Sequence, residues 1–331
     1  MSFRIGYVGL GNMGGPIFTN LVKYATSNNL PAPCAWNIVK ARYDELRPDC
    51  PGALFCEELE EVVGRSNVVF TCLLNDPVAE EVYERLFAAV RESKGKDKVV
   101  FVDQSSLKPR TSRKLEAYAH HVGASYLAAP VFGRPDAAEA ATLVQVLGGE
   151  NAAKELIKPL IVPAIARRVV DAGEDVAKGS ALKLLGNSLI LGVVEMLAET
   201  YALTDAIGFD PEVYQSFIPV RLPSGIGIVR ADHPGDFFPL YPYIAYGDNI
   251  STGNFSRPGG FRLEAGLKDA RNILSLGEDF GRPLSLPAIE LAKQHLERAQ
   301  ELCGNDVDWS ALSVAVREKA GMEPFRQLAQ S

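Results

Sequence analysis

Apolar residues follow two different spacings along the chain, and the change comes near residue 172. Before it, short apolar runs alternate with segments of helical periodicity; the runs are FRIGYV, CAWNI, NVVFTCLL, KVVFVD and ASYLAAPV. Strands that alternate with helices predict a mostly parallel, doubly wound α/β sheet. After it, long helical patterns cover residues 176–208, 262–280 and 284–302, and strand signals stop. We therefore expect an α/β domain over residues 1–174 and an all-α domain over residues 175–331.

Residues 221–260 interrupt the helical patterns with five prolines and six aromatic residues. Prolines and aromatics that follow no period are typical of an ordered loop rather than a flexible linker. This stretch is expected to form a loop or lid, with aromatic side chains as candidates to border a larger or less polar pocket.

A glycine-rich turn follows the first apolar run directly and leads into a helical pattern. Gly9, Gly11 and Gly14 make the spacing GxGxxG: the first glycine permits a tight turn, the second lets a pyrophosphate approach, and the third allows close helix packing. The free N–H groups at the start of the helix then face the phosphates. The turn predicts a dinucleotide site made by Gly9, Leu10, Gly11, Asn12, Met13 and Gly14.

The end of the second predicted strand bears on the choice between NAD and NADP. An NAD-preferring site places an acidic residue there to bind the ribose 2′-hydroxyl, whereas this chain has Asn37, followed closely by Lys40 and Arg42. Two cations in this turn predict that a 2′-phosphate is bound and that NADP is preferred. The alternative is that both side chains are simply solvated at a helix start, which leaves NAD open.

The composition argues against several classes of binding partner. A net charge of −7 without a basic run argues against nucleic acid and anionic membrane surfaces. The five cysteines form no CxxC pair, so neither a structural metal nor a disulfide framework is expected. Since we find no leader segment and no apolar stretch of membrane-spanning length, the expected location is the cytosol.

The apolar segment GSALKLLGNSLILGVVEMLAE contains a single lysine. On a helix, Lys183 and Asn187 are four residues apart and share one face. Burial would lower the pKa of the lysine from about 10.4, which suits a proton shuttle. The alternative is a lysine that extends its ammonium to the surface. Three leucines of the segment are expected to pack in the core: Leu182, Leu185 and Leu189.

Five blocks occur in the same order as in one enzyme family. They are GYVGLGNMGGPIFTNL, FVDQSSLKP, YLAAPVFGRPDAAEAATLVQVLGG, GSALKLLGNSLI and FRLEAGLKDARNIL. With them the chain resembles the β-hydroxyacid dehydrogenases of the 3-hydroxyisobutyrate dehydrogenase type, which are related to 6-phosphogluconate dehydrogenase and the imine reductases. The resemblance implies an N-terminal Rossmann domain, a helical C-terminal domain, a small-molecule substrate and a homodimer.

The same resemblance implies roles for individual residues. Lys183 would be the acid–base residue of an NAD(P)-dependent hydride transfer, and Asn187 would help to hold the substrate oxygen. Ser105, Phe132 and Gly133 would lie against the substrate. Further cofactor contacts would come from Leu73, Leu74, Ser106 and Lys268.

One block departs from the family pattern. Where the family has A-P-V-S-G-G, this chain has A-P-V-F-G-R, so Phe132 replaces a hydroxyl and Arg134 replaces a glycine. A small hydroxyacid substrate is therefore open to question, and a carbonyl reductase or an imine reductase remains an alternative. A non-catalytic NADP-binding protein is a third hypothesis, although such a protein would be expected to lose the lysine.

Overall fold

The chain divides into two compact units in the computed structural model, which describes residues 3–93, 98–217, 241–256 and 260–326. The first, the sheet unit, comprises Met1–Leu184 with Glu278–Gly281. The second, the helical unit, comprises Leu185–Gly277 and Arg282–Ser331. The boundary between the units falls within a long helix, ten residues after the boundary expected from the sequence.

A doubly wound sheet forms the first unit, as the alternating pattern predicts. Its strands in the described part of the chain are β1 (Ile5–Val8), β2 (Cys34–Trp36), β3 (Leu54–Phe55), β4 (Val68–Thr71), β5 (Val100–Asp103), β6 (Ser125–Ala128), β7 (Val131–Phe132), β8 (Leu143–Gly149) and β9 (Ala166–Asp171). Their order in the sheet is β3-β2-β1-β4-β5-β6-β8-β7, and β9 also pairs with β8. Neighbours from β3 to β6 are parallel, whereas β8 runs antiparallel to β6 and β7.

Helices cover both faces of this sheet because alternate strand residues point to opposite sides. Tyr7 and Phe70 belong to one apolar cluster, and their chain neighbours Val8 and Val69 belong to the other. The helices are α1 (Gly14–Ser27), α2 (Ala41–Leu46), α3 (Glu60–Arg65), α4 (Asp76–Glu92), α5 (Pro109–His121), α6 (Pro135–Glu139) and α7 (Asn151–Ile161), with a short 3-10 helix at Arg47–Asp49.

Where the structure describes it, the second unit is built from helices, as expected. Its core includes Trp309, and a Cβ at Gly266 would lie 2.9 Å from the Trp309 ring, so the glycine allows this close packing. The helices are α8 (Val176–Ala206), which begins in the sheet unit, α9 (Pro211–Phe217), α10 (Tyr241–Thr252), α11 (Leu263–Leu274), α12 (Leu276–Asp279), whose last two residues belong to the sheet unit, α13 (Pro287–Cys303) and α14 (Leu312–Lys319), with a 3-10 helix at Trp309–Ala311.

Helix α8 corrects two expectations. Leu185 and Leu189 are 53% and 74% exposed, so they do not pack in the core. The helix also contradicts the expectation that no segment reaches membrane-spanning length, because its 31 residues are apolar enough to cross a membrane by length and composition. The most apolar window has a mean hydropathy of 1.6 and is 44% buried within the protein. A core helix of a soluble protein meets the same criterion.

The expected loop over residues 221–260 is only partly correct. Residues 241–252 form α10, where the sequence pattern had shown no helix. Tyr246 and Phe255 are buried, and the Tyr246 ring packs edge-on against Trp309 at 5.9 Å, so these aromatics belong to a core. Residues 218–240 and 257–259 of the expected lid lie outside the described part of the chain.

Candidate active site

The glycine turn after β1 has the shape that its spacing predicts. Gly9 has a φ of +96°, and a Cβ there would collide with the carbonyl oxygen of Cys72. A Cβ at Gly14 would collide with the carbonyl oxygen of Gly9, whereas one at Gly11 would meet nothing within 4 Å. The first and third glycines are thus required by packing, and the second faces open space at the start of α1. These features fit the approach of a pyrophosphate.

Side chains from the segment after β2 hold the middle of this turn. The Leu10 N–H donates to Asn37 Oδ1 at 2.8 Å, and the Leu10 carbonyl accepts from Arg42 Nε at 3.0 Å. Asn37 is itself buried, and its Nδ2 donates to the carbonyl of Val39. Asn37 and Arg42 therefore lie at the glycine turn, as expected, but their side chains form hydrogen bonds with the backbone of Leu10.

Lys40 is also engaged with protein atoms. Its Nζ donates to the carbonyls of Glu57 and Cys56 at 2.6 and 3.1 Å, and to the Tyr43 hydroxyl at 3.2 Å. The ammonium also lies 5.1 Å from the centre of the Tyr43 ring. Lys40 thus ties the end of β2 to the segment after β3.

A buried carboxylate organises the loop after β5. Asp103 accepts hydrogen bonds from Ser105 N, Thr71 Oγ1 and the Tyr126 hydroxyl at 2.9, 3.0 and 2.8 Å. Burial raises the pKa of Asp103, and these donors act in the opposite direction. Ser105 Oγ in turn accepts from Leu73 N at 2.8 Å. The predicted contacts Leu73 and Ser105 therefore lie together at the carboxyl ends of β4 and β5, where open α/β sheets bind ligands.

A second buried network was not anticipated from the sequence. The Tyr7 hydroxyl donates to Gln104 Oε1 at 2.7 Å, and Gln104 Nε2 donates to Gln145 Oε1 at 3.0 Å. Gln145 Nε2 then donates to the carbonyl of Ala129. Through its hydrogen bond to Ala129, the network holds the start of the segment Ala129–Pro130–Val131–Phe132 in place. The only sequence signal was a polar glutamine within an otherwise apolar strand.

Phe132 and Lys183 meet within the sheet unit. Lys183 Nζ lies 4.4 Å from the centre of the Phe132 ring, which is a cation–π geometry. The next residue, Gly133, has a φ of +138°, and a Cβ there would lie 2.5 Å from the Leu143 side chain. The sequence analysis expected a buried lysine, whereas Lys183 is only half-buried in the structure.

Asn187 lies one turn after Lys183 on α8, and its surroundings are in the helical unit. Its side chain is buried, and Nδ2 donates to Asp269 Oδ2 at 2.6 Å. Asp269 is fully buried, and its Oδ1 lies 3.0 Å from Lys268 Nζ. Asp269 was not among the predicted site residues; its position beside Lys268 in the last block was the available signal.

The remaining predicted contacts are less enclosed. Leu74 is 58% exposed, Asn12 is exposed, and Met13 and Ser106 are half-buried. Among the described residues, His, Cys, Asp and Glu do not form a group of three or more that could hold a metal ion.

Residues 4–173, just over half of the chain, match the family model of the NAD binding domain of 6-phosphogluconate dehydrogenase. The chain belongs to the β-hydroxyacid dehydrogenase family. The protein is therefore an NAD(P)-dependent oxidoreductase with a Rossmann-type sheet unit followed by a helical unit.

Curated relatives match this family member over most of their length. The uncharacterised oxidoreductase YfjR of Bacillus subtilis is 27% identical over 95% of this chain and 100% of its own. The NADH-dependent oxidoreductase ucdB of Aspergillus ustus is 28% identical over 85% and 87% of the two chains. The 2-(hydroxymethyl)glutarate dehydrogenase of Eubacterium barkeri is 29% identical over 97% of each chain.

Solved structures share the fold. The 3-hydroxyisobutyrate dehydrogenase of Mycobacterium tuberculosis, with L-serine, has a TM-score of 0.74 at 22% identity and covers 96% of this chain and 100% of its own. An imine reductase from Pseudomonas sp. has a TM-score of 0.59 at 15% identity and covers 95% and 99%. At these identities the similarity establishes the fold alone.

Proposed function

We propose that the protein transfers hydride between a nicotinamide cofactor and a hydroxyacid or carbonyl compound, with Lys183 as the general acid and base. The observation that carries the proposal is the arrangement on α8. A half-buried lysine is followed one turn later by an amide whose position is fixed by a buried carboxylate. Lysine and amide at this spacing provide one proton donor and one hydrogen-bond donor for a substrate oxygen.

The nicotinamide supplies or accepts the hydride when it is bound. The protein must hold the substrate oxygen and handle one proton. In the reducing direction the Lys183 ammonium donates its proton to the oxygen of the carbonyl, and in the oxidising direction the neutral amine accepts the hydroxyl proton.

Asn187 and Asp269 are assigned complementary tasks in this proposal. The amide nitrogen of Asn187 can only donate, so the short contact with Asp269 Oδ2 uses one of its two N–H donors. The second N–H and Oδ1 then have a defined orientation. We assign the remaining N–H of Asn187 to the substrate oxygen and describe Asp269 as a positioning residue.

The proposed substrate class follows from Phe132 at the end of β7. A phenyl ring has no hydrogen bond to offer a carboxylate, whereas the relative from E. barkeri is named for a dicarboxylic hydroxyacid. We therefore favour carbonyl compounds that place an apolar group beside Phe132.

A screen of cofactor consumption tests this function. The purified protein is supplied with NAD⁺ or NADP⁺ together with hydroxyacids, and with NADH or NADPH together with aldehydes, ketones, or ketones with amines. The Lys183→Met variant is run in parallel. Oxidation of the cofactor by an aldehyde or ketone without amine, lost in the variant, is the expected result. Turnover that requires an amine and survives in Lys183→Met would instead establish an imine reductase, the alternative that the Phe132 ring favours. Turnover with none of the substrates would favour a non-catalytic NADP-binding protein.

We also propose that the protein is a homodimer. Four large apolar residues of α8 are exposed at spacings of 4, 7 and 7, which place them on one face of the helix. Such an apolar stripe, interrupted by the exposed Glu199, is typical of a surface that packs against another copy. The residues are Leu185, Leu189, Met196 and Leu203, with exposed fractions of 53%, 74%, 65% and 59%.

A further inference from the structure

We propose that Arg42 is a positioning residue that fixes the glycine turn for the pyrophosphate, and that neither Arg42 nor Lys40 selects NADP(H) over NAD(H). This replaces the expectation from the sequence that the two cations bind a 2′-phosphate. It concerns the cofactor site of the sheet unit alone and does not depend on the proposed role of Lys183.

The first support is the way Leu10 is held. Asn37 Oδ1 accepts from the N–H of Leu10, and Arg42 Nε donates to its carbonyl, so the peptide groups on both sides of Leu10 are fixed. Leu10 is fully buried and stands directly before Gly11, the glycine that faces open space. The orientation of these peptides decides how the backbone at Gly11 is presented to a phosphate. Arg42 therefore acts on the cofactor through Leu10.

The second support is that the polar donors of Lys40 are already used. An ammonium has three N–H donors. Lys40 Nζ has three acceptors within hydrogen-bond distance: the carbonyls of Cys56 and Glu57 and the hydroxyl of Tyr43. A phosphate could bind Lys40 only if the ammonium gave up part of this set. Lys40 is thus a structural tie between β2 and β3.

The third support comes from the two residues that follow Asn37 after β2, next to the position that meets the ribose in this fold. Ile38 and Val39 are 79% and 56% exposed, and both are apolar. Such side chains neither pair with a 2′-phosphate nor accept a hydrogen bond from a 2′-hydroxyl. We therefore expect the dissociation constants for NADH and NADPH to lie within about tenfold of each other.

The test measures the affinity of the purified protein for NADH and for NADPH without substrate, by calorimetry and by the cofactor-induced rise in melting temperature. Arg42→Met removes both the hydrogen bond to Leu10 and the charge. Arg42→Gln removes the charge and the ion pair with Glu45 but can keep the hydrogen bond to Leu10, because the glutamine Nε2 occupies the same place along the side chain as arginine Nε. Lys40→Met tests the second cation, and Arg47→Gln is a matched control in the next turn of the chain.

The expected result is that Arg42→Met weakens both cofactors by a similar factor of about ten, the value of one hydrogen bond from a charged group. Arg42→Gln should keep NADH affinity within about threefold of the unmodified protein. Lys40→Met and Arg47→Gln should leave the ratio of the two affinities unchanged. A selective loss of NADPH binding in Arg42→Gln or Lys40→Met would overturn the proposal, as would an Arg42→Met variant that binds both cofactors normally.

Discussion

Lys183 and Phe132 form a cation–π pair, with the ammonium nitrogen 4.4 Å from the ring centre. Such pairs contribute roughly 0.5 to 2 kcal/mol, depending on how far they are removed from water. The ring attracts the protonated form of the lysine and offers no hydrogen bond to a carboxylate. One residue thus bears on both the position of the proposed proton donor and the kind of substrate that fits beside it.

Replacing Lys183 by Met tests the proton transfer. Methionine keeps most of the volume and can still contact the Phe132 ring, but it has no ionisable group. We expect turnover to fall by about 100- to 10,000-fold, the usual contribution of general acid–base catalysis. Cofactor affinity and melting temperature should change little, since Lys183 is half-buried. Near-normal turnover would remove Lys183 from the mechanism, and loss of both folding and cofactor binding would show a structural lysine.

Replacing Phe132 by Ser tests substrate selection. A hydroxyl at this place can donate to a carboxylate, so kcat/KM for a short 3-hydroxyacid should rise by about tenfold relative to a bulkier carbonyl substrate. Phe132→Leu is the matched control, because it reduces size and removes the ring without adding a donor. If the two variants behave alike, or if the ratio does not change, the acid group of the substrate lies elsewhere, with Arg134 or Ser105 as the next candidates.

Replacing Asp269 by Ala tests the orientation of Asn187. The variant leaves a buried amide without its partner at 2.6 Å, so we expect kcat/KM to fall by roughly ten- to a hundredfold. Asp269→Asn keeps an oxygen acceptor and should restore much of this loss. A purely structural role predicts instead that both variants lower the melting temperature while kcat/KM of the folded fraction stays normal.

The pH dependence of stability can be tested where β9 leads into α8. Lys154 is 1% exposed and donates to Asp171 Oδ1 at 2.6 Å, and this hydrogen bond lowers the pKa of Asp171. Because the folded pKa is depressed, the stabilisation is fully present above the unfolded value of about 3.9 and is lost as the pH falls through the folded value. Asp171→Asn should therefore lower the melting temperature at pH 7 by more than at about pH 3. A difference that stays constant with pH would contradict this.

A charge on the exposed face of α8 tests the dimer. Leu189 is 74% exposed, and Leu189→Glu should convert a dimer to monomers without a loss of helical signal. Sedimentation of the purified protein measures the change. Tyr118→Glu is the control, because Tyr118 is 55% exposed on α5 of the sheet unit. A monomeric unmodified protein, or a dimer that persists in Leu189→Glu, would exclude this face as the interface.

Local rules account for the features that were predicted correctly. Strands appear as short apolar runs because their side chains point to two sheet faces that are both covered by helices. The glycine turn follows from steric limits at Gly9 and Gly14. These constraints act between residues close in the chain, so the sequence alone determined five strands of the sheet, the glycine turn and the change from a sheet unit to a helical unit. The pattern did not predict β3, β9 and α10. It also placed Lys183 and Asn187 one turn apart, since helix periodicity needs no partner.

Contacts between distant residues decided the rest. Helix α8 is apolar on most sides, so the spacing of its apolar residues does not predict which face is exposed. Leu185 and Leu189 are exposed in the structure. From the sequence, Lys40 and Arg42 look available to bind a phosphate. In the folded protein they donate hydrogen bonds to the carbonyls of Glu57 and Leu10. Asp269 lies 82 positions after the asparagine that it orients. Hydrogen-bond partners and exposure depend on which elements pack together. Only the tertiary structure determines this packing, because burial is a property of the packed elements and not of any one segment.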